Sequence, residues 1–380
     1  FEAMSGLTTT GSTVIANLDE TARGILLWRA LLQWLGGIGI IVMAIAVLPL
    51  LGVGGMQLFR IEMSDHSKKL LPRAGPTAAW ITMTYGALTL IWAAALWTAG
   101  MSPFEALCHA MTTIATGGFS TADGSIGAFN SSVIDWIIVT GMLVGSLPFL
   151  LYVQAVRGDP LALLRDSQVR YFLGLCLISA VLMTAWIFFR LDAPVSAALR
   201  YAAFSTTSIV TGTGFTTTPF DNWGTFPVTL LFFLMFVGGC TGSTTGGIKI
   251  FRFQVLFNSI RAELSHFVRP HMISAPRFNG EPVPDPIIRA VRVFFFVFIL
   301  SFACTALLLG LHGYDFVTST SAAATAISNV GPGLGPLVGP ANNYGSMENS
   351  AKWVLSAAML LGRLELFTVL LLFLPRFWRN

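Results

Sequence analysis

Four short segments of this chain share one ending. They read Thr9-Thr10-Gly11-Ser12-Thr13, Thr116-Gly117-Gly118-Phe119-Ser120, Gly212-Thr213-Gly214-Phe215-Thr216 and Asn329-Val330-Gly331-Pro332-Gly333. Each carries a glycine third, follows a short apolar stretch rich in Thr, Ser and Ala, and precedes a long hydrophobic run. The central glycines are 107, 96 and 117 residues apart, a spacing expected of four re-entrant hairpins gathered around one axis. Such an arrangement suits an ion pathway, in which backbone carbonyls converge on a cation and replace its water shell. The candidate filter residues are Thr9, Thr10, Gly11, Ser12, Thr116, Gly117, Gly118, Phe119, Gly212, Thr213, Gly214, Phe215, Asn329, Val330, Gly331 and Pro332.

Turning carbonyls inward at successive residues demands backbone angles that a Cβ resists and glycine accepts. Small residues in membrane helices also mediate close packing. Packing accounts for Gly36, Gly37, Gly39, Gly52, Gly54, Gly55 and Gly145. It accounts poorly for the four segment glycines, each of which stands between a half-span and a full span. The hydroxyls of Thr9, Thr10, Thr116 and Thr213 either add oxygen ligands or cap the half-helices.

The remainder of the chain is built for a membrane. Of its 380 residues 54% are hydrophobic and only 11% are charged, with a mean hydropathy of +0.73. Soluble domains carry about 25% charged residues. Runs at 24–51, 77–100, 132–153, 171–191, 226–256, 287–311 and 353–374 are long enough to cross roughly 30 Å of hydrocarbon, which predicts seven complete spans. Residues 102–114, 195–209 and 314–328 are too short to span and too apolar for ordinary loops. Half-helices that return as extended backbone fit them, provided protein buries that backbone or it lines a wet cavity.

The expected fold is an all-α polytopic membrane protein. Four pseudosymmetric repeats of outer helix, pore half-helix, filter and inner helix surround one pore, with the first outer helix missing. The repeats divide as 1–60, 61–160, 161–275 and 276–380. The first holds only the end of its half-helix, a filter and an inner helix. Because the chain opens inside a motif, at Phe1-Glu2-Ala3-Met4, it is expected to be an N-terminally truncated piece.

Orientation follows from the basic residues. Arg60, Lys68, Lys69 and Arg73 lie between the first two repeats, and Arg157, Arg165 and Arg170 between the next two. Lys249, Arg252, Arg261, Arg269, Arg277, Arg289 and Arg292 precede the fourth, and Arg376 and Arg379 close the chain. This side is therefore cytoplasmic. Asp19, Glu20, Asp123, Asp192, Asp221 and Glu348 fall on the other side, where an acidic vestibule would raise the local cation concentration; loops are also polar without such a role.

Two features lie below the filter. The run from Val237 to Lys249 places Gly238, Gly239, Thr241, Gly242, Ser243, Gly246 and Gly247 inside a membrane span. So many glycines cannot sustain a helix cheaply, so the span should break into a loop, 238–247, able to obstruct the pore; a packing kink is the plainer reading. A nucleotide-binding loop is excluded, because Gly-x-x-x-x-Gly-Lys-Ser/Thr is absent. Arg363 stands in the middle of the last run. A cation at that depth is costly and faces a pathway or a partner. Glu365, two residues on, faces elsewhere on the helix, so a partner must come from another repeat. The candidate gate is the loop, Lys249 and Arg363.

Enzymatic chemistry finds little footing. His66, His109, His266, His271 and His312 form no metal or catalytic set, and Cys108, Cys176, Cys240 and Cys304 fall singly in apolar stretches as buried small hydrophobes.

Several motifs carry a family resemblance. They are residues Phe1 to Thr13, Gln33-Trp34-Leu35-Gly36-Gly37-Ile38-Gly39-Ile40, Gly117-Gly118-Phe119-Ser120-Thr121, Gly238-Gly239-Cys240-Thr241-Gly242-Ser243, Asn329-Val330-Gly331-Pro332-Gly333-Leu334-Gly335 and Gly362-Arg363-Leu364-Glu365. On these the whole chain resembles the TrkH/TrkG branch of the Trk/Ktr/HKT potassium transporter superfamily. The resemblance implies a fourfold pseudosymmetric pore of K⁺-channel ancestry and a homodimer. It also implies a cytosolic TrkA-type nucleotide-binding regulatory subunit, and a gate at Arg363 and Gly238–Gly247. The chain departs from the pattern in lacking the family's first helices and in reading Gly212-Thr213-Gly214 at the third filter. Gly11 favours K⁺, since the Na⁺-preferring plant relatives carry Ser there.

The expectation is K⁺ uptake across the bacterial inner membrane by a multi-pass protein in contact with membrane lipid. K⁺ is the permeant ion, no cofactor sits on the chain, and no nucleic-acid partner is expected. The rival readings are a Na⁺-permeable or Na⁺/H⁺-coupled cation transporter and, more remotely, a polytopic membrane enzyme.

Overall fold

A computed structural model describes residues 1–46, 74–269, 276–366 and 369. The chain begins with a half-helix, α1 (Glu2–Leu7), and a long helix, α2 (Arg23–Ala46). Long helix α3 (Ala74–Thr98) leads to half-helix α4 (Pro103–Ile114), then to α5 (Ser132–Gly145) and α6 (Phe149–Val156). After a single turn, α7 (Ala162–Arg165), come α8 (Ser167–Leu191), half-helix α9 (Val195–Val210), α10 (Thr225–Leu234) and α11 (Ile250–Val268). A small hairpin, β1 (Arg277–Phe278) with β2 (Glu281–Pro282), precedes α12 (Asp285–Leu311), half-helix α13 (Phe316–Ser328) and α14 (Asn349–Arg363).

Each long helix α3, α8 and α12 packs against the half-helix that follows it. Two of the half-helices start at a side-chain cap. Ser102 and Glu105 form a reciprocal capping box ahead of Pro103 at the first position of α4. The Asp315 carboxylate accepts the N–H groups of Val317 and Thr318 at the start of α13. The outward faces of the long helices are apolar: Leu177, Phe189, Phe296, Leu307 and Leu311 are all more than half exposed. With lipid as solvent, this pattern identifies a multi-pass membrane protein.

Fewer continuous spans form among the described residues than the hydrophobic runs suggest. Among the described residues α2, α3, α8 and α12 are unbroken and long enough to cross, and α5 with α6 makes one bent pair. The run at 132–153 turns by 93° between Gly145 and Phe149. Pro148 has no N–H to give a helix and disfavours helical geometry in the residue before it. The freed backbone groups are taken up by the 238–247 loop: Cys240 N–H donates to Ser146 O at 3.0 Å, Thr244 N–H to Gly145 O at 3.3 Å, and Phe149 N–H to Gly242 O at 3.0 Å. The run at 226–256 is divided by that same loop. In the run at 353–374 α14 stops at Arg363, because Glu365 and Leu366 both adopt left-handed backbone, with φ of 57° and 54°. Arg363 is therefore the last residue of α14.

Two smaller expectations also change. Cys304 is exposed, on the lipid-facing stripe of α12 shared with Leu300 and Leu307. Gly39 has open space around its α carbon, so close packing does not explain it. Arg60, Lys68, Lys69, Arg73, Gly52, Gly54, Gly55, His66, His271, Arg376 and Arg379 lie outside the described residues.

Replacing Ser102 by Ala removes one half of the α4 capping box and should cost about 1 kcal/mol. Thermal unfolding of the purified protein in detergent is the measurement, with a lowered midpoint expected and an unchanged one contradicting the cap.

Candidate ion pathway

All four half-helices end in the same turn. Thr9, Thr116, Gly212 and Asn329 take left-handed backbone, with φ of 52°, 50°, 68° and 56°. Their N–H groups reach the carbonyls of Gly6, Thr113, Ile209 and Ala326, and the next N–H in each case reaches Ser5, Thr112, Ser208 and Thr325. This paired bonding is the Schellman ending of a helix. Left-handed geometry is unusual for a β-branched residue such as Thr9 or Thr116, and it persists only where the surroundings enforce it. Two residues further on, Gly11, Gly118, Gly214 and Gly331 are left-handed again, with φ of 87°, 78°, 79° and 108°.

These glycines close a ring. A Cβ on Gly11 would lie 2.2 Å from Gly117 O, one on Gly118 1.8 Å from Thr213 O, one on Gly214 2.1 Å from Val330 O, and one on Gly331 2.8 Å from Thr10 O. Each glycine thus abuts the carbonyl just before the next ring glycine, and the fourth returns to the first. Four backbones meet with no side chain between them, and four carbonyls stand around one axis. At the start of two segments, the buried Thr9 Oγ1 and Asn329 Oδ1 have no hydrogen-bond partner, although buried oxygens ordinarily find one. Polar oxygen free of protein partners at the end of a carbonyl ring suits a cation and its water.

Ser12, Phe119, Pro332 and the four glycines line an open recess on the far side of the ring. Of the six acidic residues expected there, only Asp123 lines it, and its carboxylate accepts Leu18 N–H at 3.0 Å. The recess itself is not ringed by carboxylates. Its charged wall is Arg29 and Asp123.

On the near side sits the loop. It is closed at its base by Gly238 N–H to Ile248 O at 2.9 Å and Ile248 N–H to Phe236 O at 3.0 Å. Gln168 holds Thr241 N–H at 3.0 Å, and the Ser243 hydroxyl donates to Cys240 O at 2.6 Å. Gly239 packs against Ser146 O, and Gly246 lets the backbone approach Ser328 O, where a Cβ would come within 2.5 Å. Gly242 and Gly247 provide left-handed turns. Gly246 thus lies against the fourth segment at Asn329, and Thr244 makes the contact with the second. Its hydroxyl lies 3.0 Å from the carbonyls of both Ile114 and Gly145, and 3.1 Å from the Thr116 hydroxyl.

Arg363 holds the loop from the other side. One guanidinium nitrogen donates to Thr244 O at 2.8 Å and another to Gly36 O at 3.2 Å, while Nε has no partner. Its partners are carbonyls of two other elements, with no carboxylate among them. Lys249 Nζ donates to Thr245 O and to the Thr245 hydroxyl. Glu365 pairs instead with Arg252 at 2.5 Å. Lys249, Arg252 and Arg363 are all buried, so this region carries a net positive charge.

Residues given no role of their own from the sequence matter here. Thr244 carries the loop's main contact yet is one hydroxyl among several in the run. Gln33 and Arg29 donate to Gly117 O and Ser120 O of the second segment, and Glu2 accepts the Thr13 hydroxyl of the first; the polarity of Gln33 and Arg29 within an apolar helix was the available signal. Three inner-helix glycines also share one role: a Cβ on Gly36, Gly145 or Gly362 would lie 2.0, 2.8 or 1.9 Å from the carbonyl of Leu7, Ile114 or Ile327.

Comparison with known proteins gives a consistent result. The TrkH family model, described as a cation transport protein, matches residues 1–380. Over its whole length the chain is 46% identical to the Trk system potassium uptake protein TrkI of Halomonas elongata, spanning 77% of that protein. It is 41% identical over its whole length to the Trk system potassium uptake protein TrkH of Salmonella typhimurium, spanning 79% of it. The crystal structure of the potassium transporter TrkH from Vibrio parahaemolyticus matches with a TM-score of 0.90 at 39% identity, over 99% of this chain and 78% of that one.

The glycine contacts predict a contrast within α2. Gly36→Ala forces a Cβ onto Leu7 O and should destabilise by about 1–3 kcal/mol. Gly39→Ala meets nothing within 4 Å and should be neutral or stabilising by up to about 1 kcal/mol. Unfolding midpoints of the two variants check this, and equal effects would contradict it.

Proposed function

The chain belongs to the TrkH cation transport family, and from that premise we propose that it carries K⁺ into the cell through the ring at Gly11, Gly118, Gly214 and Gly331. The family is one of transporters and not of enzymes, and the chain is a multi-pass protein of the bacterial inner membrane. The observation that carries the proposal is the closed ring of left-handed glycines. Oxygen ligands drawn from four backbones replace the hydration shell of a cation without any resident cofactor, and Thr9 Oγ1 and Asn329 Oδ1 supply further oxygen at one end. The filter comprises the sixteen residues from Thr9 to Pro332 named from the sequence, within four repeats at 1–60, 61–160, 161–275 and 276–380.

The 238–247 loop and Arg363 act as the gate. Thr244 rests against the half-helix end at Ile114 and the filter residue Thr116, so an ion leaving the ring inward meets the loop. Arg363, bonded to Thr244 O, adds a positive charge that opposes cation passage. Movement of the loop exchanges the Thr244 and Arg363 bonds for open space. The working assembly is a homodimer with a cytosolic TrkA-type nucleotide-binding subunit, and flux is channel-like or coupled to protons.

Two experiments test these roles. In a K⁺-requiring bacterial strain, Gly118→Ala in the intact protein should reduce K⁺ uptake at least about tenfold, since even a modest displacement of a ligand ring costs more than 1.4 kcal/mol; undiminished uptake would remove the filter assignment. Arg363→Gln should raise K⁺ flux by about tenfold, the scale of one unit charge near a partly screened path; unchanged flux from normally folded protein would remove the barrier role. Reversal potentials showing no preference for K⁺ over Na⁺ would replace K⁺ uptake by a Na⁺-permeable reading.

A further inference from the structure

The four corners of the ring are not supported alike. The contacts of Gly36, Gly145 and Gly362 with Leu7, Ile114 and Ile327 set a common register, because each carbonyl lies four residues before its ring glycine. In that register Gln33 corresponds to Met142 and Met359, and Arg29 to Ile138 and Leu355. Those four counterparts are buried and apolar, whereas Gln33 and Arg29 are equally buried and polar. The first inner helix alone among these three presents polar groups to the ring.

Gln33 addresses the second segment. Its Nε2 donates to Gly117 O at 2.6 Å, and its Oε1 accepts Phe119 N–H at 3.0 Å. One planar amide therefore holds the peptide groups on both sides of Gly118. The sequence of that segment is matched to it. Thr10, Thr213 and Val330 stand where the second segment has Gly117, and a Cβ on Gly117 would lie 2.4 Å from the Gln33 amide carbon. In the first and third segments local hydroxyl pairs occupy this level, Thr8 with Thr10 at 2.8 Å and Thr211 with Thr213 at 2.7 Å. In the second segment the missing side chain is replaced by an amide from another helix.

Arg29, one turn away, continues the clamp outward. It donates to Ser120 O at 2.8 Å and pairs with Glu2 at 2.8 Å. Its guanidinium carbon lies 4.1 Å from the centroid of the Phe119 ring. The backbone from Gly117 to Ser120 is thereby fixed at three successive points.

We propose that Gln33, backed by Arg29, is a positioning residue that holds the second filter segment and sets how strongly the pore discriminates K⁺ from Na⁺. A carbonyl tied to α2 by this hydrogen bond resists displacement toward a smaller ion, so the ring keeps the size suited to the larger one. The proposal rests on the reading of the four segments as a filter.

The test is the K⁺/Na⁺ permeability ratio, read from reversal potentials of the intact protein in vesicles. Gln33→Met keeps the side-chain volume and matches the residue at the two corresponding positions, so it should fold. Its ratio should fall about tenfold, the scale of one buried hydrogen bond, with unfolding midpoint and protein yield close to those of the unsubstituted protein. Gln33→Glu keeps the acceptor for Phe119 N–H but loses the donor to Gly117 O, and should lower the ratio too. An unaltered ratio in whichever of these variants folds overturns the proposal. Gly118→Ala, run alongside, separates the two levels: if it leaves K⁺ flux intact, the filter reading itself fails and not the role of Gln33 alone.

Discussion

The structure depends on bringing four pieces of bare backbone within contact of one another. A single Cβ at Gly11, Gly118, Gly214 or Gly331 would enter the carbonyl of the neighbouring segment, so the ring exists only because glycine is present at all four corners. The same positions take left-handed backbone, which glycine adopts without steric penalty. Backbone at membrane depth must otherwise satisfy its polar groups within a helix. Here the Schellman endings of the half-helices satisfy the first N–H groups of each segment and leave ring carbonyls to be balanced by neighbours or by an ion.

What surrounds the ring follows from that requirement. Gly36, Gly145 and Gly362 let inner elements close on the half-helix ends, which fixes the height of three corners. The bend at Ser146 and the loop at 238–247 are one feature seen from two sides, since each supplies the hydrogen bonds that the other's broken helix lacks. Thr244 joins them to the second segment through Thr116, and Arg363 joins them to α2 through Gly36 O. The second segment is thus gripped by the loop at one end and by Gln33 and Arg29 further along. A displacement of the loop and a change in the filter would share this corner.

Much of the fold was legible in the sequence, and the exceptions have physical causes. Glycine content marked the break at 238–247, and the short apolar stretches at 102–114, 195–209 and 314–328 marked three of the half-helices. The break at 146–148 was hidden because the run at 132–153 is predominantly apolar and its Pro148 stands near one end. Only the loop makes that break affordable, and the loop lies about ninety residues away in sequence. The end of α14 at Arg363 was not visible because hydropathy does not register the left-handed residues Glu365 and Leu366. Gln33 and Arg29 were visible as polar residues in an apolar helix, but their partners at Gly117 and Ser120 are 84 and 91 residues distant. Thr244 carried no signal that set it apart from Thr241 or Thr245.

The most direct measurement of the central claim is the position of a heavy K⁺ surrogate, Rb⁺ or Tl⁺, located by anomalous diffraction from crystals of the intact protein. The account predicts a peak on the axis enclosed by the carbonyls of Thr10, Gly117, Thr213 and Val330, lost on replacement of Gly118 by Ala. Ordered ion density elsewhere in the protein, with none inside that ring, would contradict it.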